Sequence, residues 1–402
     1  MAQSHGAPTV RDNFYLDQGR WTQGRNALLF LALAGWLACA AGFALDRPQF
    51  FRSYLVAFCF GITIALGAFF FVMVQYLTGS AWSVTLRRSM ENVMITIPVF
   101  ALLFIPVAFG LHDLYEWTHQ EVVAKDAILQ KKAGYLNEQW FIIRAVIYFA
   151  LWSVWAWALH RNSLRYDQER SVARMDTAAR WSAPGLFLVV VVGSLASFDW
   201  IMSLDPHWYS TMFGVYCLAG GGVAFMAVLT LIALAFRRAG ILEHSITTEH
   251  YHDLGKWMFA LSCFYAYIGF CQYLLIWYAN IPEETVWYKH RFEGSWVIGA
   301  IILVVGRFFV PFFLLAPRAN KRKLAILQFI AVWIVVVHYI DMYWVVMPVW
   351  FKHGFHLHWL DLATLVAVVA TAGLMFWRQL RGNALVNVGD VRFQQGLRLE
   401  NA

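Results

Sequence analysis

Residues 54–77 read Tyr-Leu-Val-Ala-Phe-Cys-Phe-Gly-Ile-Thr-Ile-Ala-Leu-Gly-Ala-Phe-Phe-Phe-Val-Met-Val-Gln-Tyr-Leu, without one charged side chain. Wound as an α-helix at 1.5 Å per residue, such a run reaches about 36 Å, enough to cross a hydrocarbon core of roughly 30 Å. A barrel strand needs only about 10 residues and alternates in polarity, so this uniformly apolar stretch predicts a helix. Helices and closed barrels are the two structures that satisfy every backbone amide in lipid. The pattern repeats along the chain. Spans are expected at Asn26–Leu45, Tyr54–Leu77, Val93–Leu111, Trp140–Leu159, Gly185–Met202, Met212–Phe236, Trp257–Ala279, Trp296–Leu315, Leu324–Met347 and Trp359–Trp377. Hydrophobic residues make up 60% of the 402 and charged ones 14%, against about a quarter charged in soluble proteins. The expected fold class is an all-α polytopic membrane protein of about ten helices.

Orientation follows from the loops. Counting Lys and Arg, 20 lie on the side that holds both termini and 8 on the other, with Arg144, Lys256 and Arg307 in or beside spans. This bias predicts both termini in the cytoplasm of a bacterial inner membrane. The net charge of +7 is therefore a topology signal and no argument for nucleic-acid binding. Trp140, Trp296, Trp359 and Trp377 fall at span ends, where an amphipathic ring prefers the headgroups. Residues 1–25 are polar and the first apolar run is of full span length, so a membrane span rather than a cleaved leader is expected. The longest connections, Arg161–Ala183 and His112–Gln139, are expected to form surface helices.

Two stretches match each other. Asp199-Trp-Ile-Met-Ser-Leu-Asp-Pro206-His-Trp208 closes the fifth span and Asp341-Met-Tyr-Trp-Val-Val-Met-Pro348-Val-Trp350 the ninth, both fitting Asp-x6-Pro-x-Trp. Tyr54, Phe58 and Phe70 correspond to Tyr209, Phe213 and Phe225 at a constant offset. The expected organisation is a cytoplasmic segment 1–25 and a membrane domain 26–379, followed by a cytoplasmic tail 380–402. Within the membrane domain, residues 52–210 and 211–350 would form two four-helix bundles, with 26–45 and 359–379 as flanking helices. Membrane folds built from repeats often place their sites at equivalent positions of each half.

Cys39, Cys59, Cys217, Cys263 and Cys271 all lie in spans without Cys-x-x-Cys spacing, which speaks against a cluster, a zinc site or external disulfides. A membrane haem wants paired axial ligands at similar depth, and of the 13 histidines only His338 lies well inside a span. No metal or redox cofactor of the chain's own is expected.

Ionisable groups in hydrocarbon cost at least ~2.5–3.5 kcal/mol each on insertion scales. The candidates for a proton path are Asp199, His338 and Asp341 in the outer half, with His112, Asp113 and Glu116 just beyond the third span. Glu91 and Arg307 lie in the inner half. His338 and Asp341 are three apart and share a helix face. Arg144 is expected as a structural counter-ion of one or both aspartates. The alternative for the whole set is that the pairs merely lock helices together. Arg307 has three options: reaching the interface, pairing with Glu91, or lining an aqueous path. Tyr265, Tyr267, Gln272 and Tyr273 thread the seventh span, where ordinary interhelical hydrogen bonds are expected.

Ser197-Phe-Asp-Trp-Ile-Met-Ser-Leu-Asp-Pro-His-Trp-Tyr-Ser210, His252-Asp-Leu-Gly-Lys256, Gln272-Tyr-Leu-Leu-Ile-Trp-Tyr-Ala-Asn-Ile-Pro-Glu-Glu284 and Asp341-Met-Tyr-Trp344 resemble the polysulfide-reductase-type (NrfD-like) membrane subunits of bacterial alternative complex III. That assembly is a quinol:cytochrome c oxidoreductase, and the chain is most similar to the shorter, ActF-type subunit. The resemblance implies two four-helix bundles with two flanking helices. It also implies an oxidoreductase complex in which haem c, iron–sulfur clusters and quinol belong to partners. These are a sister NrfD-like quinol-binding subunit, an iron–sulfur/molybdopterin-like periplasmic subunit, c-type cytochrome subunits, small membrane subunits and a terminal oxidase. The histidine and asparagine pattern of relatives with a quinone pocket near the first span has no counterpart here, so no quinone ligands are carried over. The expected role is scaffolding plus a proton path coupled to quinol oxidation in the sister subunit. The alternatives are a stand-alone secondary transporter and a direct quinol-binding subunit.

Overall fold

The computed structural model describes residues 12–400; the expected segments 1–25 and 380–402 therefore extend, at residues 1–11 and 401–402, outside the described residues. Among those described there are ten helices long and apolar enough to cross a membrane, and no β-sheet. We label them α1 (Gln18–Leu45), α2 (Arg47–Leu77), α3 (Val84–Phe109), α4 (Glu138–Glu169), α5 (Val172–Leu204), α6 (Phe213–Arg238), α7 (Thr248–Ala279), α8 (Trp296–Leu315), α9 (Leu324–Val349) and α10 (Trp359–Gln379). The even count puts both ends of the described chain on one side, the terminal face; the other is the distal face.

Two helices are central. In α2, 94% of the most apolar window is buried, and in α6 78%, against 22–56% in the other eight. Helix α2 packs on α1, α3, α5, α6, α9 and α10, and α6 packs on α2, α5, α7 and α9. Lipid tails are as apolar as leucine, so burial of apolar surface does not hold such helices together; close backbone approach does. A Cβ on Gly221 would lie 2.3 Å from the Thr63 carbonyl oxygen, and one on Gly67 2.7 Å from that of Gly221. Flanking helices α1 and α10 use the same device: a Cβ on Gly35 would meet the Ala367 backbone at 2.7 Å.

Several boundaries differ from expectation. Helix α3 begins at Val84, so Arg87 and Arg88, counted above with the loop charges, are helical and buried, as is Glu91. It breaks after Met94 and again after Leu103, resuming at Ile97 and Ile105 ahead of Pro98 and Pro106. Proline removes a helical N–H and crowds the preceding turn. The stretch 161–183 is no separate surface helix. It is the end of α4 and the start of α5, joined at Arg170, whose left-handed φ of 49° makes the turn. At 32 residues, α4 is about 48 Å long and stands out of a 30 Å core with its arginines. The connection after α3 holds several short helices, Leu111–Leu114, Glu116–Thr118, Gln120–Val123 and Ala127–Lys132.

Helix α8 widens into a π-helical segment at Val304–Phe309. Pro311 is the cause, because it cannot donate to the carbonyl of Arg307 four residues earlier. After α10 the chain folds back: Leu385 donates its amide to Phe14 at 2.8 Å, and Val391 its amide to the Tyr166 hydroxyl at 3.2 Å.

Gly221→Ala forces overpacking at the α2–α6 contact, which costs about 1–3 kcal/mol. Gly134→Ala, with nothing within 4 Å of the added methyl, is the control. Thermal unfolding in detergent should show a lowered midpoint for the first and none for the second.

Candidate functional site

A carboxylate inside a helical bundle needs a cation and enough donors to replace water. Asp341 on α9 is fully buried and has both. The Arg307 Nη2 donates to its Oδ2 at 2.6 Å, the Tyr265 hydroxyl donates to the same oxygen at 2.9 Å, and the Tyr216 hydroxyl donates to Oδ1 at 2.5 Å. Five spans meet here: α2, α6, α7, α8 and α9. The π-turn of α8 presents the guanidinium, which lies 4.4 Å from the centre of the Tyr265 ring. Gly220 on α6 leaves it room, since a Cβ there would sit 3.1 Å from Nη2.

His338 lies one turn back on the same face. Arg307 donates to its Nδ1 at 2.6 Å, and its Nε2 is 2.9 Å from the Thr63 hydroxyl on α2. A guanidinium only donates, so Nδ1 accepts and Nε2 carries the ring proton toward Thr63. That hydroxyl passes on to the Cys59 carbonyl at 2.8 Å. The result is a continuous hydrogen-bonded line from the tyrosines through Asp341, Arg307 and His338 to the backbone of α2, in which every side chain is buried.

The same set of parts occurs near the distal face of the other half. Arg144 on α4 binds Asp199 on α5 through two nitrogens, at 2.7 and 3.1 Å, and the Tyr148 hydroxyl donates to Asp199 at 2.9 Å. The Tyr135 ring lies 3.8 Å from the guanidinium carbon of Arg144. Arg144 is thus the partner of Asp199 alone, while Asp341 has its own arginine.

Other expected members of a single path lie elsewhere. Glu91 does not pair with Arg307. It sits at the terminal face, 3.2 Å from Arg88 and 3.8 Å from Arg87, and accepts from the Tyr76 and Ser163 hydroxyls at 2.7 Å each. Arg87 also binds Asp390 and Arg88 binds Asp167, while Arg392 reaches Asp390 at 3.2 Å. Three arginines and three acids thus balance, and the returning tail is part of the cluster through Asn387, which donates to Ser163 at 2.9 Å. His112 pairs with Glu138 at 3.1 Å and Asp113 with Arg47 at 3.1 Å, both at the distal surface, and Glu116 is exposed. None of the three joins Asp199.

Sequence reasoning missed Tyr216, Arg87, Arg88, Asp167 and Asp390, and took Tyr265 for an ordinary helix contact. Among the described residues no three His, Cys, Asp or Glu side chains converge on a point where a metal ion would sit. No protein-family model matches the chain, and no curated protein matches it. Fold and site together define a ten-span α-helical membrane protein with buried Arg–Asp–Tyr clusters.

Removing one member of the buried pair leaves the other charge alone. Asp341→Ala and Arg307→Ala should each cost roughly 3–5 kcal/mol of stability, and the pair replaced together by Leu and Met should recover most of it. Unfolding in detergent across this double-mutant cycle measures the coupling.

Asp390, outside the spans, gives a pH test. Burial raises its pKa, but Arg87 and Arg392 outweigh this and hold it below the ordinary 3.8. A depressed carboxylate contributes stability above its unfolded pKa and loses it as pH falls through the folded one. Hydrogen exchange should therefore show residues 387–392 protected at pH 7 and pH 5 and released only below pH about 4. Asp390→Asn should release them at pH 7.

Proposed function

We propose that this chain is an integral membrane subunit of a respiratory quinol:cytochrome c oxidoreductase of the alternative complex III type. It scaffolds the assembly and carries a proton path whose protonatable centre is Asp341. The observation that carries the proposal is the Asp341 cluster itself. It joins a buried carboxylate to two phenols, with Arg307 as its counter-ion holding an imidazole and a threonine on the far side; the carboxylate and phenols are protonatable groups of the kind that pass protons where bulk water is scarce. The sequence resemblance at Ser197–Ser210, Gln272–Glu284 and Asp341–Trp344 supplies the assembly. In this proposal haem c and iron–sulfur clusters reside in periplasmic and cytochrome partners, and quinol is oxidised in a sister NrfD-like subunit. The lysine and arginine bias supports a bacterial inner-membrane location with both termini cytoplasmic.

A stand-alone secondary transporter is the competing class. The interrupted α3 and the π-turn of α8 favour it, because transporters break helices where they bind ions. Affinity purification of the full chain from native membranes separates the two: haem c and iron–sulfur absorbance should travel with it, and their absence would leave the transporter. In proteoliposomes of the intact assembly, Asp341→Asn should lower protons released per quinol oxidised, while an unchanged stoichiometry and rate would reduce the chain's role to scaffolding.

A further inference from the structure

Helix α4 carries no Asp, Glu, Lys or Arg between Arg144 and Arg161, and α5 none between Arg180 and Asp199. Arg161 and Arg180 therefore mark the level at which the two spans leave the hydrocarbon toward the terminal face. A cavity of about 270 Å³ lies between the helices astride that level. Trp157, Arg161 and Arg165 line it from α4, and Arg174, Thr177 and Trp181 from α5. It opens on the outside of the bundle, where both tryptophans, Arg161 and Arg165 are exposed. Toward the membrane centre, Val154 on α4 and Phe187 on α5 are exposed as well, so an apolar outer surface runs from the cavity into the lipid.

The charges do not cancel. Arg174 is held by Glu169, donating from Nε at 2.8 Å and from Nη2 at 2.9 Å. Arg161 and Arg165 are ion-paired with no carboxylate among the described residues. The guanidinium of Arg161 instead lies 4.9 Å from the centre of the Trp157 ring, a contact that keeps it at the mouth of the cavity. Two cations thus face the opening uncompensated. Arginines alone would attract any anion, but their setting narrows the choice. Indole rings prefer the depth of the lipid headgroups, and basic pockets between spans at that depth suit lipid phosphates. The exposed apolar strip below gives the chains of such a lipid a surface to lie on. A soluble anion would leave that strip unused.

We infer that this cavity seats the phosphate of an anionic phospholipid from the terminal-face leaflet, on Arg161 and Arg165, with its acyl chains along Val154 and Phe187. A zwitterionic lipid fits less well, because its own ammonium would meet uncompensated cations. The site is independent of the proton path and of the assembly proposed above, so a protein lacking either would still bind the lipid.

Native mass spectrometry of the full chain, released from neutral detergent while dioleoyl phosphatidylglycerol is titrated in, tests this. The first phosphatidylglycerol bound should hold more tightly than dioleoyl phosphatidylcholine, and inorganic phosphate at the same concentration should not displace it. Arg161→Gln and Arg165→Gln should each weaken phosphatidylglycerol binding about fivefold, and together about thirtyfold. Arg180→Gln removes an equal charge at the same level outside the cavity and should change nothing. Thr177→Trp fills the cavity without altering charge; it should weaken binding as the double variant does, and it serves if that variant fails to fold. Equal binding of phosphatidylcholine, displacement by phosphate, or a loss in Arg180→Gln as large as in Arg161→Gln would overturn the assignment. So would undiminished binding in the filled or double variant, or a cavity that takes no lipid because a partner chain covers it.

Discussion

A charge in hydrocarbon persists only beside its opposite, and the ion pair of Arg307 with Asp341 is where that constraint organises this fold. The pair sits where α6, α7, α8 and α9 converge on α2, and each helix contributes something it needs. The π-turn before Pro311 aims the guanidinium, and α6 withholds a side chain at Gly220 while donating Tyr216. Helix α2 ends the line with Thr63, and Gly221 lies against that residue's own backbone. A close backbone contact and a buried polar cluster are thus neighbours, each fixing the other's geometry.

The Asp199 cluster restates the same chemistry with different burial. In both halves an arginine on one span faces an aspartate on the next, a tyrosine hydroxyl completes the carboxylate, and an aromatic ring covers the guanidinium. Arg144 retains 14% side-chain exposure against 1% for Arg307, so one pair lies near the distal surface and the other deep in the bundle. Two pairs built alike but solvated differently suit a protein in which one locks helices and the other carries chemistry.

The ten spans were legible because lipid imposes length and apolarity on every one of them, whatever the neighbours. Helix ends were less so. Arg87 and Arg88 read as loop charges because their partners Asp390 and Asp167 lie 303 and 79 residues away, and no local pattern announces such neutralisation. The shared face of His338 and Asp341 was legible from a spacing of three. The identity of their cation was not, since sequence spacing ranks neither Glu91 nor Asp341 as the acid that Arg307 meets. Pro311 was the available signal: a proline four residues after a buried arginine marks a loosened turn. The cavity between α4 and α5 left no signal, because its walls come from two helices that meet only in the fold.

Asp341 is the group proposed to change protonation when the proposed assembly turns over. Infrared difference spectra of the intact assembly in lipid, recorded between quinol-reduced and oxidised states, address it directly. The account predicts a protonated-carboxyl band paired with loss of a carboxylate band, both absent in Asp341→Asn and retained in Asp199→Asn. Difference spectra in which Asp341→Asn leaves every carboxyl band in place would contradict it.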